Sequence, residues 1–166
     1  MTEQSFLSLI DERREELYAL LSRIIRIDSQ DFGYEGREAA MADELEAIAA
    51  ELGLAPDRYS PLEIEGFREL EDYMEGRNLE NRPNVSLVLR GTTEEEGVHL
   101  MAHSDTVPVG NLADWERDPF SGDIADGRIY GRGACDDKYA IAAVLFLLRL
   151  FRDKGITPKR SITFTA

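Results

Sequence analysis

Residues 139–148, YAIAAVLFLL, form an unbroken apolar run, and it constrains the fold more than any other stretch of the chain. The run is about half as long as the ~20 residues a bilayer-spanning helix needs, so it reads as a helix buried within protein. A helix apolar on all sides has to sit between other layers, against a sheet or other helices. A chain of 166 residues with 43% hydrophobic content has enough apolar material for one core of this kind. That size fits a single domain or part of a larger one.

The elements available to cover the helix can be read from period and punctuation. Phe6, Leu9, Ile10, Leu17, Leu20, Leu21 and Ile24 recur at three- and four-residue steps, predicting one amphipathic helix to about Arg26. Met41, Leu45, Ile48, Ala49 and Leu52 predict a second, stopping at Gly53. Residues 56–83 are acidic and irregular, a surface excursion with one short helical candidate near Phe67–Met74. NVSLVLRG and VHLMAHSD read as strands joined by the polar turn TTEEEG, and the two are expected to pair as a hairpin. Asp126-Gly127, between short apolar segments, marks a tight hairpin turn. The glycine-punctuated GRGACDDK leads into the buried helix, which runs to about Arg152, and RSITFTA closes as a strand. The predicted class is α/β, a mixed β-sheet flanked by helices.

Charge and cysteine content narrow the partners. Nineteen basic against 33 acidic residues give a formal charge of −14, which disfavours nucleic acid and anionic lipid surfaces. The single Cys135 cannot form an internal disulfide, and the first residues lack the basic and apolar regions of a secretory signal. A cytoplasmic protein without nucleic-acid or membrane partners is expected.

Both histidines fall within HLMAHSDTVPVG, residues 99–110. On a strand, side chains alternate, so His103 and Asp105 point to one face and Ser104 to the other. This geometry works against a Ser-His-Asp hydrolase, and no G-x-S-x-G elbow is present. It suits a metal ligand whose second ring nitrogen is held by a neighbouring carboxylate. Four extended residues span ~13 Å, too far for His99 and His103 to share one ion, so His99 is assigned a structural role. GRGACDDK departs from both the dinucleotide fingerprint and the phosphate loop, so no nucleotide cofactor is expected. It does place Asp136 at the mouth of an apolar helix. Taken alone, Asp136 is either a helix cap or a cation ligand, with the cap favoured.

HLMAHSDTVPVG, DWERDPFSGDIADGRIYGRGACDDK and the apolar helix, in that order and spacing, resemble the co-catalytic zinc aminoacylase and carboxypeptidase family. Its members include acetylornithine deacetylase, succinyl-diaminopimelate desuccinylase and dipeptidases. The resemblance runs clearly from about Asn84 to Phe151, and the two N-terminal helices look like the family's opening. It implies that His103 ligates one zinc, that Asp136 bridges two, and that Asp105 supports the histidine as a catalytic residue. It also implies a cis peptide between Asp136 and Asp137. Zinc is the implied metal, with cobalt or manganese as substitutes, and the implied substrate is an N-acyl amino acid or short peptide whose amide is hydrolysed. Cys135 is expected to be a buried thiol, Asp137 and Lys138 to make local polar contacts, and Trp115 and Phe120 to pack the substrate-side loop. YA follows the lysine where the family often has glycines, which bears on the shape of the helix entrance.

In the family, the strand matching SITFTA leads to a pair of glutamates, one of them the general base. Neither is found before Ala166. One His and one bridging Asp give each zinc at most two protein ligands, below the three of a catalytic site. Residues 1–166 are therefore read as the N-terminal part of the catalytic domain, with the dimerisation domain and C-terminal catalytic part absent, and with activity and homodimer formation belonging to the full-length parent. This truncation reading predicts an exposed apolar sheet edge. The alternatives are a non-catalytic binding or assembly module and a generic α/β domain.

Overall fold

The computed structural model describes residues 2–166. Four helices, α1 (Glu3–Glu12), α2 (Arg14–Ile25), α3 (Ala39–Leu52) and α4 (Lys138–Asp153), accompany six strands. These are β1 (Asp57–Tyr59), β2 (Asn84–Leu89), β3 (Val98–Met101), β4 (Ile124–Ala125), β5 (Arg128–Ile129) and β6 (Ile162–Thr165). The main sheet has the order β1-β2-β6-β3, and β4 and β5 form a separate hairpin. The sheet is mixed because β6 runs antiparallel to β2 and parallel to β3.

The mixed α/β architecture matches the sequence reading, but one pairing does not. β2 and β3 are not a hairpin, since β6 lies between them and bonds to both. Local punctuation favoured joining neighbours, while the final strand supplies a central partner that a short turn could not reveal. The first predicted helix is also two. Its periodicity lapses between Ile10 and Leu17, where the chain reads Asp11-Glu12-Arg13-Arg14-Glu15-Glu16. Arg13 leaves the helix there, with φ −111° and ψ 12°, and its side chain bonds Glu16 and Asp153. In the excursion, the helical candidate near Phe67–Met74 is a single 3₁₀ turn at Phe67–Glu69, another 3₁₀ turn stands at Pro61–Glu63, and β1 is a strand the sequence reading missed.

Alternation along the sheet sends Val85, Leu87 and Phe164 into the core beneath the helices. Ile141, Ala142, Leu145 and Leu150 of α4 are wholly buried in the same cluster, with Ile24 and Ile25 of α2 and Met41, Ile48 and Ala49 of α3. The apolar run is thus a central helix. The other face of the sheet carries a polar cluster, with Ser86 Oγ 2.7 Å and His99 Nε2 2.9 Å from Thr165 Oγ1. β3 is an outer strand and leaves Val98 and Met101 exposed. Asp126 and Gly127 both take positive φ, 53° and 70°, as the hairpin turn requires. No helix among the described residues is long and apolar enough to cross a membrane.

Candidate metal centre

β3 and β6 are parallel, and the site lies just past the carboxyl end of β3, where His103 follows two residues after Met101. His103 and Asp105 therefore occupy a loop and not a strand, so alternation is not what unites them. A turn does so. Nδ1 of His103 is 3.0 Å from the Asp105 backbone oxygen and 3.3 Å from its Oδ1. The carbonyl can only accept, so Nδ1 carries the proton and donates it.

Across the ring, Nε2 is 2.9 Å from Oδ1 of Asp136, a residue 33 positions away. Two ligand atoms on one tetrahedral zinc with ~2.0 Å bonds stand ~3.3 Å apart, so this hydrogen-bonded pair has to open slightly to share a cation. Burial lowers the basicity of His103, but the hydrogen bond to Asp136 and the charge of Asp105 outweigh it and raise the imidazole pKa above its ordinary value. A metal ion would engage the same two atoms that this contact brings together. His103, Asp105 and Asp136 all meet in one place. Among the described residues, however, no group of three or more His, Cys, Asp or Glu side chains is arranged to hold an ion.

The cap reading of Asp136 is not what the structure contains. Asp137 occupies the N-cap of α4 without a side-chain cap bond, while the Asp136 side chain is 84% exposed and turned to His103. The Asp136-Asp137 peptide is cis. His99 lies apart from this pair, bonded to Thr165 on the sheet face. Cys135 is exposed, correcting the expected buried thiol, because the loop turns its side chain outward beside Asp136. Trp115 packs its loop, donating from Nε1 to Val109 O at 2.9 Å beneath the Arg132 guanidinium, 5.0 Å from the ring.

Lys138 makes long-range contacts instead of the expected local ones. It is fully buried, and Nζ donates to the backbone oxygens of Ile24 at 3.1 Å and Ile27 at 2.6 Å, at the end of α2. Burial pulls its ammonium down to about 8, with the charge of Asp28 opposing. A lysine in the first turn of a helix opposes the helix dipole. That misplaced charge was the sequence signal for a special partner.

A cleft of ≈ 370 Å³ opens beside His103 and Asp105 and is also lined by Glu38, Arg77, Arg82 and Ala166. Sequence reasoning missed its wall, a buried ion pair in which Arg82 Nε and Nη2 reach Glu38 Oε1 at 2.9 and 2.5 Å. Nothing in the local pattern linked residues 44 apart.

Residues 99–166 match the model of peptidase family M20/M25/M40. A metallohydrolase of Methanocaldococcus jannaschii is 31% identical over 111 residues, 58% of this chain and 27% of that protein. A succinyl-diaminopimelate desuccinylase of Bradyrhizobium is 45% identical over 80 residues, covering 48% of this chain and 21% of that enzyme. The chain thus spans about a fifth to a quarter of these curated relatives. In structure it is similar to an M20 family metallo-carboxypeptidase of Sulfolobus solfataricus, with TM-score 0.67 and 26% identity, over 91% of this chain and 30% of that one.

Proposed function

We propose, from the match of residues 99–166 to peptidase family M20/M25/M40, a part in zinc-dependent hydrolysis of the amide bond of an N-acyl amino acid or short peptide. The observation that carries this reading is the 2.9 Å approach of His103 Nε2 to Asp136 Oδ1. In it, His103 and Asp136 would hold the metal, and the exposed carboxylate of Asp136 would be available to a second ion as well. Bound zinc polarises a carbonyl and lowers the pKa of a water molecule.

This chain's own residues prepare the ligands. By accepting from Nδ1, the Asp105 carbonyl fixes the tautomer that aims the Nε2 lone pair at the metal, and its carboxylate adds negative charge beside the ring. Asp105 is thereby the catalytic support of His103. The cleft alongside gives a small substrate a place next to these atoms. Residues 1–166 supply the N-terminal part of the catalytic unit in this proposal. Its third ligand and general base come from outside the His103–Asp136 pair, because a catalytic zinc takes three protein ligands. The proposed protein is cytoplasmic and binds neither nucleic acid nor membrane, and the proposed full enzyme can form a homodimer.

The count of two converging ligands also favours a second reading, in which the chain is a non-catalytic binding or assembly module. Zn²⁺ titration followed by the His103 imidazole NMR signals, paired with hydrolysis assays of the full-length protein on N-acetyl and N-succinyl amino acids and dipeptides, separates the two. Hydrolysis is expected to require Zn²⁺ and to vanish in His103→Ala and Asp136→Asn. Imidazole signals indifferent to Zn²⁺ would remove the metal reading altogether. Zinc binding without turnover of any of these amides would leave the module.

A further inference from the structure

We infer that the segment leaving α2, Ile24–Asp31, is the common base that sets the distance between His103 and Asp136, with Lys138 and Ser29 as its positioning residues. This rests on the metal reading of His103 and Asp136.

The two ligands come from different loops, and each loop is tied to the same eight-residue stretch. On the Asp136 side, Lys138 threads under the loop and ends on the Ile24 and Ile27 carbonyls. Its stem fits because Gly133 has no Cβ: one placed there would stand 2.9 Å from Lys138 Cδ and 2.9 Å from Thr106 Cγ2. The Lys138 backbone N–H also donates to Gly133 O at 3.1 Å, closing the loop on its own anchor. On the His103 side, Ser29 is fully buried and donates from Oγ to Ser104 O at 2.7 Å. Thr106 N donates to Ser29 O at 2.9 Å, and Asp31 N to Thr106 O at 2.8 Å. Gly133 and Thr106 also lie close together, so the loops touch above their shared base.

These bonds explain why a lysine stands in the first turn of α4, directly before its apolar run. Of the two carbonyls it reaches, that of Ile24 belongs to the last turn of α2, whose end is partially negative, and that of Ile27 follows the helix. A neutral isostere there removes three things together: the charge, the caps and the tether on the Asp136 loop.

The test uses Lys138→Met and Ser29→Ala in the intact chain, with Leu45→Ala on α3 as a destabilised comparison and His103→Ala as the ligand control. Zn²⁺ affinity is measured by calorimetry under conditions where circular dichroism shows each variant folded, and Co²⁺ ligand-field absorption reports the geometry of the site. Lys138→Met and Ser29→Ala are each expected to weaken Zn²⁺ binding about tenfold or more and to change the Co²⁺ spectrum, the size of effect seen when groups orienting metal ligands are removed. Leu45→Ala is expected to lower the unfolding midpoint without either change. Lys138→Met or Ser29→Ala folded with wild-type affinity and spectrum would overturn the inference, and Ser29→Ala decides it alone if Lys138→Met does not fold. His103→Ala with undiminished Zn²⁺ binding would instead sink the metal reading itself, and the inference with it.

Discussion

Replacing Arg82 with methionine tests the buried ion pair that walls the cleft. Arg82 and Glu38 side chains are 6% and 7% exposed, and both guanidinium bonds fall on one oxygen, Oε1. Glu38 Oε2 is buried with no hydrogen-bond partner, so the carboxylate depends on Arg82 for its compensation. Removing one member of such a pair leaves an uncompensated buried charge and costs about 3–5 kcal/mol. Asp31 also touches Arg82, at 3.1 Å, but keeps Arg77 at 2.5 Å and loses less. The cost also has a pH signature. Burial raises the Glu38 pKa, and the Arg82 hydrogen bonds pull it only partly back. An acid whose folded pKa exceeds its unfolded value binds more protons when folded, so stability falls as pH rises between the two values. Without Arg82 the folded value climbs further and the window widens upward. Arg82→Met is therefore expected to lose about 3 kcal/mol at pH 8 and clearly less at pH 5, read by urea unfolding. The double variant Arg82→Met/Glu38→Met, with no charge left to bury, is expected to be more stable than Arg82→Met. A loss below about 1 kcal/mol at pH 8, a penalty independent of pH, or a double variant no better than the single would refute the account.

Three further outcomes follow from packing. Leu145→Ala, at a wholly buried position of α4, is expected to cost about 2–5 kcal/mol in urea unfolding, because the surrounding core cannot fully collapse on the space. Gly131→Ala is expected to lower the thermal midpoint and shift the amide NMR signals of residues 131–136. The backbone there has φ +147°, and a Cβ would run into Ile25 Cγ2 and lie 2.9 Å from Pro119 O. On the outer strand β3, Met101→Lys is expected to reduce concentration-dependent association in sedimentation velocity, since Met101 is 74% exposed and a charge blunts edge pairing.

Much of this molecule was legible wherever one residue type carried its meaning locally. The apolar run announced a central helix, Asp126-Gly127 a tight turn, and Gly53 the end of α3. His103 and Asp136 were selected by a pattern of motifs, and the structure brings them together. What stayed hidden was relational. The insertion of β6 between β2 and β3 depends on a crossover from residues about 60 positions further on, which neither strand encodes alone. β1 is three residues long and mostly exposed, too short to show alternation. The meeting of His103 and Asp105 was foreseen for the wrong reason, because the strand stops at Met101 and the backbone carbonyl of Asp105 lies nearer to Nδ1 than its carboxylate.

The same distinction separates the ligands from what holds them. A histidine or aspartate that binds metal is a side chain, and sequence displays side chains. The acceptors for Lys138 and Ser29 are the backbone oxygens of Ile24, Ile27 and Ser104, which every residue possesses. Their role arises only because the chain leaving α2 passes beside both loops. The same helix end also receives the loop before the β4–β5 hairpin, with Ser22 Oγ donating to Gly122 O at 2.6 Å and Arg26 Nε to Ser121 O at 3.0 Å. Three loops converge on one terminus, while Leu20, Leu21, Ile24 and Ile25 of that helix are buried in the main core. The core and the candidate centre therefore share a rigid element. Displacing α2 moves both ligand-bearing loops, whereas α1, joined to it through the break at Arg13, makes none of these loop bonds.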